Sequence, residues 1–160
     1  MILYHGSNVA VREPSIIVSN RALDFGAGFY TTSNLAQAEK WAKLQCYRRG
    51  LGAPIVTAYD FDEAKASALR VLRFSSPDQD WLRFVVQNRR NSFQGPGYDI
   101  VIGPVANDNT MPVINDFMAG RLNEETTILL LKPQKLADQY AFLTFKGLSC
   151  LKCNEVREYV

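Results

Sequence analysis

Residues 4–7 are Tyr-His-Gly-Ser and residues 24–32 are Asp-Phe-Gly-Ala-Gly-Phe-Tyr-Thr-Thr. His5 is the only histidine of the chain. An imidazole donates through one ring nitrogen and accepts through the other, and the glycine beside it leaves a bare backbone that a ligand can approach. Tyr30 adds an aromatic face, placed by Gly26 and Gly28. Such a set can hold a flat ring and a ribose hydroxyl. It is not the G-x-G-x-x-G of a dinucleotide-binding strand–turn–helix.

These groups need strands and a helix to position them. Residues 2–5 read as a short apolar strand, and residues 6–23 as loop, with a short strand at Ser15–Val18. Gly28–Thr31 reads as the next strand. A helix follows, capped by Ser33, with Leu35, Ala38, Trp41, Ala42 and Cys46 at helical spacing and Gly50 and Gly52 at its end. Residues 54–61 and Val71–Phe74 read as strands. Ser76-Pro77-Asp78-Gln79 has the form of a capping box with proline at the first helical position, opening a helix that runs to about Arg90. Residues 91–97 are loop. Tyr98–Val105 is a near-continuous apolar run, which suits a strand buried on both faces. Helices at Met111–Ala119 and Asn123–Leu131 and strands at Gln139–Thr144 and Leu151–Tyr159 complete the reading. Asp108, with Asn107 and Asn109, reads as turn and cap chemistry. Strands scattered among helices predict an α+β chain, and the absence of an interior linker predicts one domain over residues 1–160.

The bulk properties narrow the class. At 160 residues, 47% hydrophobic and 21% charged, the composition is that of a water-soluble globular domain. No apolar stretch approaches the roughly 20 residues of a membrane span, and the opening residues show no signal peptide. The net charge of +2 is too small to specify nucleic acid. Arg48 and Arg49, with Arg83, Arg89 and Arg90, read as solvated helix surface, with a nucleic-acid face as the alternative. Three cysteines, Cys46, Cys150 and Cys153, fit a reducing cytoplasm. Cys150-x-x-Cys153 lacks the second pair that a structural zinc site needs, so it reads as two ordinary thiols and no metal is expected.

The two motifs resemble those of the ADP-ribosyltransferase fold, in the His-Tyr-Glu branch that includes the poly(ADP-ribose) polymerases and diphtheria-like toxins. His5-Gly6-Ser7 is similar to the first motif of that branch and Phe25-Gly26-Ala27-Gly28-Phe29-Tyr30 to its second. Trp41 occupies the place of a further aromatic on the following helix. Gln139-Tyr140 stands where the branch begins its third motif with Glu-Tyr. The chain also resembles uncharacterised bacterial domains that share the Asp-Phe-Gly-x-Gly-Phe-Tyr signature and a third-motif glutamine.

This resemblance implies split mixed β-sheets flanked by helices, and NAD as co-substrate. It implies that His5 bonds the adenosine ribose, that the Gly6 backbone holds the nicotinamide carboxamide, and that Tyr30 and Trp41 flank the nicotinamide. Ser7, Gly28 and Thr31 complete the implied NAD contacts, and His5, Tyr30 and Gln139 the implied catalytic set. Where the branch has a serine on the carboxamide this chain has Ala38, leaving Thr31, Thr32 or Ser33 as stand-ins. The implied activity is mono-ADP-ribosyl transfer to a protein or nucleic acid by a cytoplasmic toxin or effector. An antitoxin partner fits that role, and no membrane partner is implied. The loop Lys132–Asp138 is where this fold meets its acceptor. The alternatives are an NAD- or ADP-ribose-binding module without turnover and an NAD glycohydrolase. They arise because Gln139 can hydrogen-bond a ribose hydroxyl but lacks the charge that would stabilise an oxocarbenium-like transition state. Asp138 should face the other side of its strand. Glu124 and Glu125 are possible substitutes for the missing carboxylate.

Overall fold

A computed structural model gives the structure of the protein and describes residues 1–16, 23–93, 95 and 97–159. The described chain is α+β. Its strands are β1 (Ile2–Ser7), β2 (Phe29–Thr31), β3 (Ile55–Phe61), β4 (Val71–Arg73), β5 (Ile100–Pro104), β6 (Asp138–Phe142) and β7 (Leu151–Glu158). Its helices are α1 (Leu35–Arg49), α2 (Glu63–Ala66), α3 (Gln79–Arg89), α4 (Met111–Met118), α5 (Glu124–Leu131) and α6 (Phe145–Leu148).

The strands form two small sheets, ordered β1-β3-β7 and β2-β6-β5-β4. The first is antiparallel throughout, and in the second only β4 and β5 run parallel. The sheets meet where Tyr4 of β1 exchanges both backbone hydrogen bonds with Thr32, just past β2. Leu3, Phe29, Tyr59, Ile100, Tyr140 and Phe142 pack between the sheets. The opposite face of the second sheet, with Val101 and Ala141, lies under α3, α4 and α5 through Trp81, Leu82, Val85, Ile114 and Leu131. This double cover explains the unbroken apolar run of β5, whose five residues are all buried.

α1 lies on the outer face of the first sheet through Ala38 and Ala42, against Tyr4 and Val56. Two alanines and Gly6 let the helix approach closely. A Cβ at Gly6 would stand 2.0 Å from the Ala38 carbonyl oxygen and 2.8 Å from the Ala42 nitrogen. The helix ends at Gly50, which adopts φ +65° and donates its N–H to the Cys46 carbonyl.

Several expectations are corrected. Asn34, not Ser33, caps α1, accepting from the Gln37 N–H, because Ser33 is drawn off to Asp138. Asp78, not Ser76, caps α3, accepting from the Trp81 N–H. A carboxylate one residue after Pro77 reaches the helix amides, so the box from Ser76 to Gln79 does not form. The two one-turn helices α2 and α6 fall where no helix was expected; each is capped by a single side chain, Asp62 or Thr144. Ser15 and Ile16 are not strand. The rest of the expected strand at Ser15–Val18, like Gln94 and Pro96 of the 91–97 loop, lies outside the described residues.

Candidate functional site

The strands bearing His5, Tyr30 and Gln139 are contiguous, with the His5 ring on the Phe29 side of β2 and Tyr30 and Gln139 on the other. β1 is bridged to β2 at Tyr4–Thr32, and β2 pairs with β6. His5 Nδ1 lies 2.7 Å from the Tyr30 carbonyl oxygen. A carbonyl only accepts, so Nδ1 carries the proton and Nε2 keeps its lone pair. The ring stacks on Phe29, with centroids 4.3 Å apart. Burial pushes the imidazole below its ordinary pKa, against the smaller opposing effect of the Tyr30 bond. His5 is therefore a neutral acceptor at Nε2 at neutral pH.

Tyr30 is opposite Ala141 in the β2–β6 ladder. Paired residues share a face, and so do residues two apart on a strand. Tyr30 and Gln139 are thus diagonal neighbours on one face of the second sheet, roughly 7–8 Å apart at that spacing. The Tyr30 hydroxyl is occupied: it donates to the Gly26 carbonyl at 2.5 Å and accepts from the Phe25 N–H at 3.1 Å. Burial raises its pKa well above the ordinary tyrosine value. Tyr30 thereby offers a ring face and no proton. Trp41, half-buried on α1, does not stack on Tyr30; the ring neighbour of Tyr30 is Phe25, 6.5 Å away.

Gln139 is 3% exposed, more buried than its sequence suggests, and its Nε2 has no hydrogen-bond partner among the described residues. It sits opposite Gly103 of β5. Two donor hydrogens without an acceptor in a buried position cost free energy, roughly 1–3 kcal/mol.

Gly6 presents its backbone rather than a pocket for a side chain. Both Tyr4 backbone groups turn away from β3 toward Thr32. By strand alternation the Gly6 N–H and C=O point the same way, and among the described residues they meet no backbone partner there. Gly28 is tight against β6, where a Cβ would stand 2.7 Å from the Phe142 carbonyl oxygen. Ser7 bonds its neighbour Asn8 at 3.4 Å.

The expected stand-in hydroxyls are committed inside the protein. Thr31 donates to the Tyr140 carbonyl at 3.1 Å. Thr32 donates to Asp138 at 3.2 Å, and Ser33 bonds the same carboxylate through both its N–H and its hydroxyl. Asp138 thus pins the start of α1 to β6, on the opposite face from Gln139. Glu124 is held by Arg83 and Gln79, and the Arg83 bond lowers its pKa; Glu125 faces solvent.

Asp24 escaped the sequence reading. Its buried carboxylate accepts from Arg89 Nε at 2.6 Å, and Arg89 also reaches the Met111 sulfur. The pair ties the loop bearing Phe25 and Gly26 to α3 and α4. Its partners are 65 residues apart, so no local pattern announces it. Arg83, Arg89 and Arg90 all bond within the protein, the last to the Met118 carbonyl.

Two cavities, of about 360 and 340 Å3, flank β4, and neither is lined by His5, Tyr30, Trp41 or Gln139. Among the described residues no three His, Cys, Asp or Glu side chains gather as a metal-binding set. Cys150 is buried, Cys153 half-buried, and both are free thiols. No described helix is long and apolar enough to cross a membrane.

Residues 1–153 match the model of a family described as "Protein of unknown function (DUF3990)". The chain belongs to that family. The match takes in His5, Tyr30, Trp41 and Gln139 together and stops within β7. A search of curated proteins finds no match.

Proposed function

We propose that the protein is an NAD-dependent mono-ADP-ribosyltransferase of the ADP-ribosyltransferase fold, acting on a macromolecule in the cytoplasm as a toxin or effector. The observation that carries this reading is the juxtaposition of three motifs remote in sequence. Strands bearing His5, Tyr30 and Gln139 are contiguous, and Tyr30 and Gln139 share a face. The split between two small sheets at β1 and β2 agrees with the fold that the resemblance implies.

The residues fit the co-substrate. The unpartnered Gln139 amide is an orphaned buried group that a ligand oxygen would satisfy. His5 Nε2 accepts a ribose hydroxyl proton, and the open N–H and C=O of Gly6 match a carboxamide. The ring faces of Tyr30 and Trp41 suit the planar, cationic nicotinamide. Ser7, Gly28 and Thr31 act by shaping the backbone, since the two hydroxyls bond within the protein. NAD, when bound, supplies the nicotinamide–ribose bond that breaks as an acceptor nucleophile adds to the ribose carbon and loses its proton.

Gln139 orients a ribose hydroxyl without contributing a negative charge, and Asp138 is turned to the other face with its oxygens occupied. Slow, single transfers follow, without polymer. The segment 132–137 leads directly into β6 and is the part that would meet an acceptor; an inhibitory antitoxin partner is compatible with this reading. The missing carboxylate favours one second reading: a module that binds NAD or ADP-ribose without turnover. Water as acceptor would make the protein a glycohydrolase.

Incubation with NAD, with and without cell extract, separates these. Free nicotinamide together with single ADP-ribose additions to an extract component is the expected result. Nicotinamide release unaffected by extract indicates hydrolysis. NAD binding without nicotinamide release indicates the binding module, and no binding overturns the proposal.

A further inference from the structure

α1 buries only Ala38 and Ala42 completely, and its outward side is unusual for a solvated helix. Lys40, Lys43, Arg48 and Arg49 stand against one carboxylate, Glu39, in a chain whose net charge is only +2. Among these cations stands Tyr47, 86% exposed, the largest exposure of any large hydrophobic side chain described. Arg48 and Arg49 in the last turn complement the helix dipole, which accounts for those two alone. It accounts neither for Lys40 and Lys43 in mid-helix nor for an aromatic ring left in water.

The spacing aligns these groups. Trp41, Leu44 and Arg48 recur at i, i+3 and i+7, Lys40, Leu44 and Tyr47 at i, i+4 and i+7, and Lys43 stands four residues before Tyr47. Residues so spaced form adjoining ridges on one side of a helix. At about 1.5 Å of rise per residue, Tyr47 stands about 9 Å along the axis from Trp41. Arg49 also reaches Asn8 at 3.4 Å, while Lys40 meets Asp108 at 3.7 Å with both side chains largely in solvent.

We propose that this face of α1 binds single-stranded nucleic acid, with phosphates on Lys40, Lys43 and Arg48 and a base stacked on Tyr47. Cations in a row with an exposed aromatic are the two elements of sequence-tolerant single-strand binding. A second copy of the chain would set like charges against each other. An acidic peptide would match the charge but make little use of a lone exposed ring. The face leads toward Trp41, yet the proposal stands without any NAD chemistry, and its test contains no NAD.

The test is fluorescence anisotropy of a labelled single-stranded oligothymidylate titrated with the whole chain over a range of salt. The expected result is binding that weakens with salt, with a log–log slope of roughly −2 for three phosphate contacts. Lys43→Glu with Arg48→Glu lowers affinity at least ten-fold and flattens the slope. Tyr47→Leu lowers affinity several-fold and leaves the slope unchanged. Arg83→Glu on α3, where Arg83 is held by Glu124, leaves binding unchanged. Circular dichroism melting establishes that each variant is folded. The proposal is overturned by no binding at low salt, by full affinity in the α1 variants, by equal loss in Arg83→Glu, or by equally tight binding of polyglutamate.

Discussion

His5 Nδ1 donates to the carbonyl of Tyr30 across the gap between the two sheets, at 2.7 Å. One imidazole therefore has two jobs: Nδ1 fastens β1 to β2, and Nε2 is left to accept from a ligand. Asparagine places its amide nitrogen close to where Nδ1 stands and has nothing at Nε2. His5→Asn is expected to keep most of the melting temperature while weakening NAD binding by about 1–2 kcal/mol, one hydrogen bond. His5→Ala loses both, because the Tyr30 carbonyl and the Phe29 ring lose their partner. Calorimetry and thermal melting on the two variants separate the roles. Equal affinity of His5→Asn and the parent refutes the ligand role.

The lowered His5 pKa gives the stability a pH dependence of known sign. The unfolded chain takes up the proton near 6.5, the folded chain only at lower pH. Between those values the unfolded state binds more protons, so acidification favours unfolding. Stability from the neutral imidazole is complete above about 6.5 and is lost as pH falls through the folded value. Urea midpoints measured from pH 7.5 down to 5 should decline, and the decline should shrink in His5→Asn. Identical profiles would rule out His5 as the group responsible.

Gln139→Met removes the unpartnered amide while keeping the shape. The variant is expected to be more stable than the parent by about 1–2 kcal/mol, and to release no nicotinamide from NAD. A melting temperature below that of the parent would mean that the amide has a partner in solution. A gain in stability with turnover intact would move the chemistry to another residue.

Gly6→Ala drives a methyl group into the Ala38 carbonyl and the Ala42 nitrogen, both helix backbone. Neither can rotate away, so α1 must lift from the sheet, at a cost of about 3 kcal/mol. At Gly50 a Cβ meets nothing within 4 Å and only the φ of +65° opposes it, for about 1 kcal/mol. Denaturation of the two variants should show that difference. Equal, small losses would show that the helix does not rest on Gly6.

Arg89→Leu leaves the buried Asp24 carboxylate without its partner, and breaking such a pair costs about 3 kcal/mol. Asp24→Asn in the same chain should restore part of the loss, since the remaining group is neutral. Denaturation midpoints of the single and double variants form the test cycle. Strict additivity would show that the two side chains do not interact.

What the sequence alone determined is local. The strand bearing His5, the helix bearing Trp41, its end at Gly50 and the burial of Ile100–Pro104 on both faces follow from periodicity, glycine and apolar runs. These signals act over a few residues, because hydrogen bonding and side-chain alternation within an element do. Tertiary structure decided which of two neighbouring polar residues won a role. Ser33 and Asn34 are both good caps, and Asp138, 105 residues from Ser33, draws the serine away. The pairing of Asp24 with Arg89, the missing side chain at Gly6 and the unpartnered amide of Gln139 depend likewise on which surfaces meet. Side chains of those types satisfy themselves equally well in water. Only when sheets and helices pack and exclude water does an unpartnered amide, a carboxylate or a single methyl group acquire an energy large enough to matter.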